Sequence, residues 1–158
     1  MNPSSLASPR VLFVPLLLLS SLAWAEKPKG QTDPAARAAC ISGATPLFSS
    51  SWSDRQDYVA RLCKKPTPST VSCVQDVKPS LVVMSAWEQP LENLCSRATP
   101  NTASCFLEVR RVLSIRSDWL DIAVAMCRRA TPGTLGCFQQ AWNQGSFDSD
   151  AAIRECGG

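Results

Sequence analysis

Eight cysteines, Cys40, Cys63, Cys73, Cys95, Cys105, Cys127, Cys137 and Cys156, constrain this chain more than anything else in it. Long and short intervals alternate between them, and in the middle of the chain one period carries Cys63 to Cys95 to Cys127 and Cys73 to Cys105 to Cys137. That period is 32. The surrounding segments align without gaps: LCKKPTPSTVSCV from Leu62, LCSRATPNTASCF from Leu94 and MCRRATPGTLGCF from Met126. Thr-Pro recurs at 67–68, 99–100 and 131–132, a threonine suited to capping at 70, 102 and 134, and tryptophan at 87 and 119. Coincidence at this many positions marks an internal repeat.

Each period reads as two short helices. In the most regular copy Thr102 is the expected N-cap. Cys105, Phe106, Val109, Val112 and Leu113 follow on one face at helical spacing. Ser114 to Ser117 break the pattern. Ser117 then caps a second helix whose apolar face is Trp119, Ile122, Ala123, Met126 and Cys127. Arg128 and Arg129 close it and Thr131-Pro132 stops it, because proline cannot continue a helix. The unit is an αα-hairpin of two helices, each about eleven residues long on this reading. The end copies diverge. Asp33-Pro34 opens a first helix to about Ser42 with Gly43 as its stop, and ISGATP after Cys40 resembles an inter-hairpin loop. Gly145-Ser146-Phe147 shortens the last hairpin, and Gly157-Gly158 ends its helix. The expected fold is therefore all-α: a short, solenoid-like array of about four αα-hairpins, with atypical copies at its ends.

In such a hairpin one cysteine lies in the first turn of the first helix and the other in the last turn of the second, and those ends are neighbours. That placement favours the pairs Cys73–Cys95, Cys105–Cys127 and Cys137–Cys156, with Cys40–Cys63 completing the set. The rival scheme bridges 63–73, 95–105 and 127–137 and leaves Cys40 and Cys156 to pair across the whole array. Zinc binding would call for clustered C-x-x-C ligands, which the sequence lacks, so no metal and no cofactor is expected. The C-x9-C spacing also occurs in mitochondrial twin C-x9-C hairpins, where each motif lies on one helix. Here Thr-Pro interrupts every such interval.

Disulfide-clamped αα repeats of this kind resemble the cysteine-rich Sel1-like repeat proteins secreted by bacteria, relatives of tetratricopeptide arrays. LCSRATPNTASC takes the part of their recurring segment, a second-helix cysteine, a short loop and a first-helix cysteine, and the likeness covers residues about 40–156. The period of 32 is shorter than theirs, and their glycine-rich signature between helices is absent. The likeness is architectural. It implies an interaction scaffold and carries over no functional residue.

The compartment is read from the segment before Glu26. Arg10 is followed by an apolar run from Val11 to Leu22 and by Ala23-Trp24-Ala25, a small-x-small signal before Glu26. These are the marks of a secretory signal peptide cleaved after Ala25. The run is too short for a membrane span, which needs roughly 20 apolar residues, and no later segment is long and apolar enough. The expected layout is a signal peptide over 1–25, a flexible lead-in over 26–32 and a cysteine-stapled domain over 33–158. The destination is the periplasm or the medium, where disulfides persist.

Charge and the missing histidine bound the function. With 0 histidines there is no Ser-His-Asp or Cys-His catalysis and no histidine-ligated metal. Without Arg10, the processed chain carries 15 basic against 13 acidic side chains, far from the footprint of a nucleic-acid binder. Basic residues recur after each second-helix cysteine: Lys64, Lys65, Arg97, Arg128 and Arg129. They read either as a ridge for an anionic partner or as cations that stabilise helix C-termini. Acids recur at second-helix starts: Asp54, Asp57, Glu88, Asp118, Asp121, Asp148 and Asp150. Their recurrence fits helix dipoles better than an acid–base pair. The two patterns predict an array with one acidic and one basic edge. Pro79 is expected to interrupt a helix, and the apolar run Leu81, Val82, Val83 and Met84 beyond it reads as a contact patch or as buried packing. Trp87 and Trp119, repeated on a helical face, read as core. The leading expectation is a non-enzymatic module that binds a protein or peptide on a rigid helical scaffold. The alternatives are a secreted inhibitor or effector on the same scaffold and, more remotely, a carboxylate-dependent enzyme.

Overall fold

The structure is a computed structural model that describes residues 33–157. The signal peptide and lead-in read at residues 1–32, and Gly158, lie outside the described residues. Eight α-helices follow one another among the described residues: α1 (Pro34–Ala44), α2 (Arg55–Leu62), α3 (Thr70–Leu81), α4 (Glu88–Cys95), α5 (Thr102–Leu113), α6 (Trp119–Cys127), α7 (Thr134–Asn143) and α8 (Ser149–Cys156). They pair as hairpins, α1 with α2, α3 with α4, α5 with α6 and α7 with α8. The odd-numbered helices also touch their odd neighbours and the even-numbered ones their even neighbours. The result is two helical layers with the core between them. No strand occurs among the described residues.

The disulfides follow the hairpins: Cys40–Cys63, Cys73–Cys95, Cys105–Cys127 and Cys137–Cys156, with Cα atoms 5.5–5.7 Å apart, within the usual span of a bridge. No cysteine is free. Four such bridges are the mark of a chain that folds in an oxidising space. Helices of 8 to 12 residues are marginal alone, and each bridge lowers the entropy of the unfolded chain by an amount worth about 3 kcal/mol. Between the staples the layers bury Val74, Val77 and Leu81 of α3, Leu91 and Leu94 of α4, Phe106, Val109 and Leu113 of α5, and Ile122, Ala123 and Met126 of α6. Val112, expected on the same face, is half-buried against that core.

The recurrent threonines act differently from the expected N-caps. Thr70, Thr102 and Thr134 are the first helical residues, and the cap positions belong to Ser69, Asn101 and Gly133, none of which caps through its side chain. Each threonine hydroxyl turns back instead and accepts from the amide of the threonine three positions earlier: Thr67 N at 2.9 Å, Thr99 N at 2.9 Å and Thr131 N at 3.0 Å. The paired hydroxyls also touch, at 3.3 Å for Thr67 and Thr70 and for Thr99 and Thr102. Thr67 donates to the carbonyl of Ala98 in the next loop, and Thr99 donates to the carbonyl of Ala130 in the loop after that. A hydroxyl has a single proton, so Thr70 and Thr102 must be the donors within their pairs. One relay thus closes each loop and stitches it to its successor. Thr70, Thr102, Ala98 and Ala130 are all buried, where unpaired polar groups are costly.

Several expectations are corrected. Gly43 does not stop α1, which runs on to Ala44. A Cβ at Gly43 would lie 3.2 Å from both γ-carbons of Val71, so the glycine lets α1 approach α3 closely. Thr45-Pro46 begins a 3-10 turn, Thr45–Leu47, inside the first hairpin rather than between hairpins, with the Thr45 hydroxyl bonded back to the Ile41 carbonyl at 2.6 Å. The second helices have 8 or 9 residues, not eleven. Ser117 is not a cap: Asp118 holds that position, and its carboxylate is engaged by Arg116 instead of the helix amides. Pro79 lies inside α3 without ending it. An interior proline costs about 3 kcal/mol or more. The full burial of Val77 and Leu81 on either side offsets this at about 1.5–3 kcal/mol each. At the far end, Gly145 takes φ +80°, the left-handed conformation that the tight turn of the last hairpin requires.

Two outcomes follow for stability. Cys105→Ala with Cys127→Ala should lower the unfolding free energy by about 3 kcal/mol in urea titration, with helical circular dichroism retained below the transition. Thr99→Val should cost about 2 kcal/mol, since it strands the Ala130 carbonyl and the Thr102 hydroxyl. Thr131→Val, at the end of the relay, should cost less than half of that.

Candidate functional site

In the last three hairpins the bridge ties the first turn of one helix to the end of its partner, in the first hairpin it ties Cys40, late in α1, to the end of α2, and α2, α4, α6 and α8 all run in one direction. Their C-termini share an edge, and the basic residues sit there. Lys64 and Lys65 follow α2, Arg97 follows α4, and Arg128 and Arg129 follow α6. All five are exposed. Their starts share the opposite edge, where Asp54, Glu88, Asp118 and Asp148 lie. The expected basic edge is therefore present, but at the opposite edge these carboxylates are interleaved with Arg55, Lys78, Arg110, Arg111 and Arg116, so the expected acidic edge does not form. Asp148 caps α8, accepting from the amides of Asp150 and Ala151 at 2.9 and 3.1 Å. Asp118 is held by Arg116 at 2.9 and 2.8 Å, and that charged hydrogen bond keeps its carboxyl below the usual range. Asp121 turns away from this pair onto the outer face of α6. The two carboxylates of α6 thus occupy separate surroundings.

The outer face of the even-numbered layer is not flat. A cleft of about 610 Å³, within the range of ligand-binding pockets, separates α4 from α6. Gln89, Pro90 and Asn93 line one wall, Asp121, Val124 and Ala125 the other, and Ser96 and Arg128 its end. Ser96 and Arg128 also border a smaller depression with Asn93, Arg97 and Arg129. Ser96 and Arg97 in turn border another, between α2 and α4, with Arg61, Lys64, Lys65 and Glu92. Ser96 borders all three, so they lie side by side on the even helices near their basic ends, a row of depressions referred to below as the trough. Arg61 pairs with Glu92 at 3.4 Å across α2 and α4. Among the described residues, Lys65, Arg97, Arg128 and Arg129 have no ion-pair or side-chain hydrogen-bond partner. Asn93 accepts from the Gln89 amide at 2.9 Å, which leaves its own NH2 free to donate outward.

The five basic residues are thus gathered into one site. The apolar run is not. Leu81 is fully buried and Met84 is half-buried against the core, which corrects their reading as exposed contacts. Val82 and Val83 are exposed, at 44% and 83%, in the loop at the opposite end of the hairpin. Ile115, one period beyond Val83, is 91% exposed at the matching tip. Sequence reasoning misses it because its neighbours are polar. It also misses Arg61, Gln89, Pro90, Asn93, Ser96, Val124 and Ala125. The signal is present in the period: Arg61, Asn93 and Ala125 form one column at repeat spacing, Lys64, Ser96 and Arg128 a second, and Lys65, Arg97 and Arg129 a third.

The aromatic residues are structural. Trp87 packs with Phe48, Trp52 and Tyr58 at ring distances of 6.0, 5.5 and 5.8 Å, closing the first end of the array. Lys78 reaches across to the Leu47 carbonyl and lies 5.2 Å from the Phe48 ring. Trp119 packs on Phe106 at 6.1 Å beneath the Arg110 guanidinium. No family model, no curated protein and no solved structure matches the chain. No helix among the described residues is long and apolar enough to cross a membrane.

Tyr58, the only tyrosine, donates from its hydroxyl to the Glu88 carbonyl at 2.9 Å. Burial first, then the carboxylates of Glu92 and Glu88, raise its pKa well above the ordinary 10.0, against a smaller opposing effect of Arg61. The unfolded phenol ionises near 10.0 while the folded one stays neutral, so this contribution is intact below that pH and lost above it. In alkaline titration, tyrosinate absorbance should rise together with the loss of helical circular dichroism, not before it.

Proposed function

We propose that this chain is exported and processed near Ala25, and that it works outside the cytoplasm as a non-enzymatic protein- or peptide-binding module. The trough across α2, α4 and α6 receives the partner. One observation carries the reading: exposed cations, of which Lys65, Arg97, Arg128 and Arg129 have no ionic partner among the described residues, border a row of adjoining depressions on helices that disulfides hold rigid. Helix dipoles account for one cation near each C-terminus. They do not account for the cleft beside them. A rigid groove loses little entropy when it binds, which suits capture of a flexible partner. An anionic segment would be drawn in by the summed field of the cations. The export reading rests on the leader-like segment before Glu26 and on the oxidised cysteines. The likeness to secreted Sel1-like arrays supports a scaffold role.

The exposed tips, Val83 and Ile115, are the competing surface. A comparison of two double variants separates the two. Arg97→Glu with Arg128→Glu should cut partner capture from cell-envelope extract at least about tenfold relative to wild type, the loss of roughly two charge pairs and their replacement by repulsion. Val83→Asp with Ile115→Asp should leave capture within about twofold, the scale of a change outside a contact surface. The reverse pattern would move the site to the tips.

A further inference from the structure

The trough has a register that restricts what fits it. Lys65, Arg97 and Arg129 stand at equivalent positions just beyond α2, α4 and α6, each one period after the last. Helices α2 and α4 touch, as do α4 and α6. Packed helices lie roughly 8–10 Å apart, so the backbone positions that carry the three cations recur about every 9 Å. A polyproline II chain rises about 3.1 Å per residue with three residues per turn, so it returns to the same face about every 9.3 Å. A β-strand returns every two residues, about 6.7 Å, and falls out of step by the second contact.

We infer that the trough binds an extended acidic peptide in the polyproline II conformation, with a carboxylate at every third residue seated on Lys65, Arg97 and Arg129 in turn. This rests on the trough being the partner site and adds the partner's conformation and spacing. The polar lining fits it. A polyproline II backbone has no internal hydrogen bonds, so its carbonyls are open to the outward NH2 of Asn93 and the hydroxyl of Ser96, both of which border the groove. A helical ligand has no such carbonyls to offer along its length.

The test uses the full processed protein and two labelled nine-residue peptides of identical composition. One repeats Glu-Pro-Pro three times; the other places its three glutamates together, followed by the six prolines. Fluorescence anisotropy at low ionic strength should show the periodic peptide binding about tenfold more tightly. That is roughly the product of two additional exposed charge pairs at about threefold each. The advantage should fall to about threefold in Arg97→Ala, and Asn93→Ala, which removes a donor to the polyproline II carbonyls that both peptides offer, should weaken both. Circular dichroism checks that both variants remain folded. Equal affinities for the two peptides would overturn the register and leave the trough as a site of general anionic attraction. No binding of either peptide, by protein whose partner capture still depends on Arg97 and Arg128, would overturn the peptide class itself. Tighter binding of a helix-forming peptide with its glutamates at heptad spacing would overturn the conformation.

Discussion

The bridge between the first turn of one helix and the last turn of its partner is the constraint on which the rest of this structure depends. It leaves the far end of each hairpin, with Val83 or Ile115 at its tip, held by packing and by single polar contacts such as Tyr58 to the Glu88 carbonyl and Arg116 to Asp118. It fixes the near end, and the short step to the next hairpin then starts and finishes at a clamped cysteine. That step contains both the threonine relay and the cations. Loops are usually the mobile part of a helical protein. Here the loop edge is the best-secured part, and the groove is built against it.

Two kinds of cohesion divide the task. Disulfides act within hairpins and make each one a unit. Between hairpins there is no covalent link beyond the chain itself, and neighbours are joined by apolar contact and by one hydroxyl-to-carbonyl bond per junction. The first junction departs from this scheme. Thr45 bonds within its own hairpin, and Lys78, bonded to the Leu47 carbonyl beside the Phe48, Trp52, Tyr58 and Trp87 cluster, joins the first and second hairpins instead. The loss of repeat character in the first hairpin is thus matched by a different kind of seal.

Much of this was legible in the cysteine period. The hairpins and the pairing follow from it, because disulfide geometry and helix length leave few ways to alternate long and short cysteine intervals so regularly. The corrections share a cause, which is that local rules are overridden by what packs nearby. Gly43 has the form of a helix stop but serves as a contact point for Val71. Pro79 has the form of a break, yet Leu81 finds its core position just beyond it. Thr102 has the form of an N-cap, and its hydroxyl serves the preceding turn because the loop amide there needs an acceptor. The trough was harder to see. Asn93, Ser96 and Ala125 differ chemically from the cations in their own columns, and only the packing of α2, α4 and α6 makes them one surface.

The threonine relay has a polarity. Every loop in it offers a hydroxyl toward the following hairpin or a carbonyl toward the preceding one, and the middle loop offers both. Such a coupling is indifferent to how many units it joins. A gene duplication that inserted one more repeat unit between the second and third hairpins would find a donor waiting on one side and an acceptor on the other. Array length is therefore free to evolve while the sealed ends stay as they are. Each added unit would lengthen the groove by one step and the row of cations by one charge.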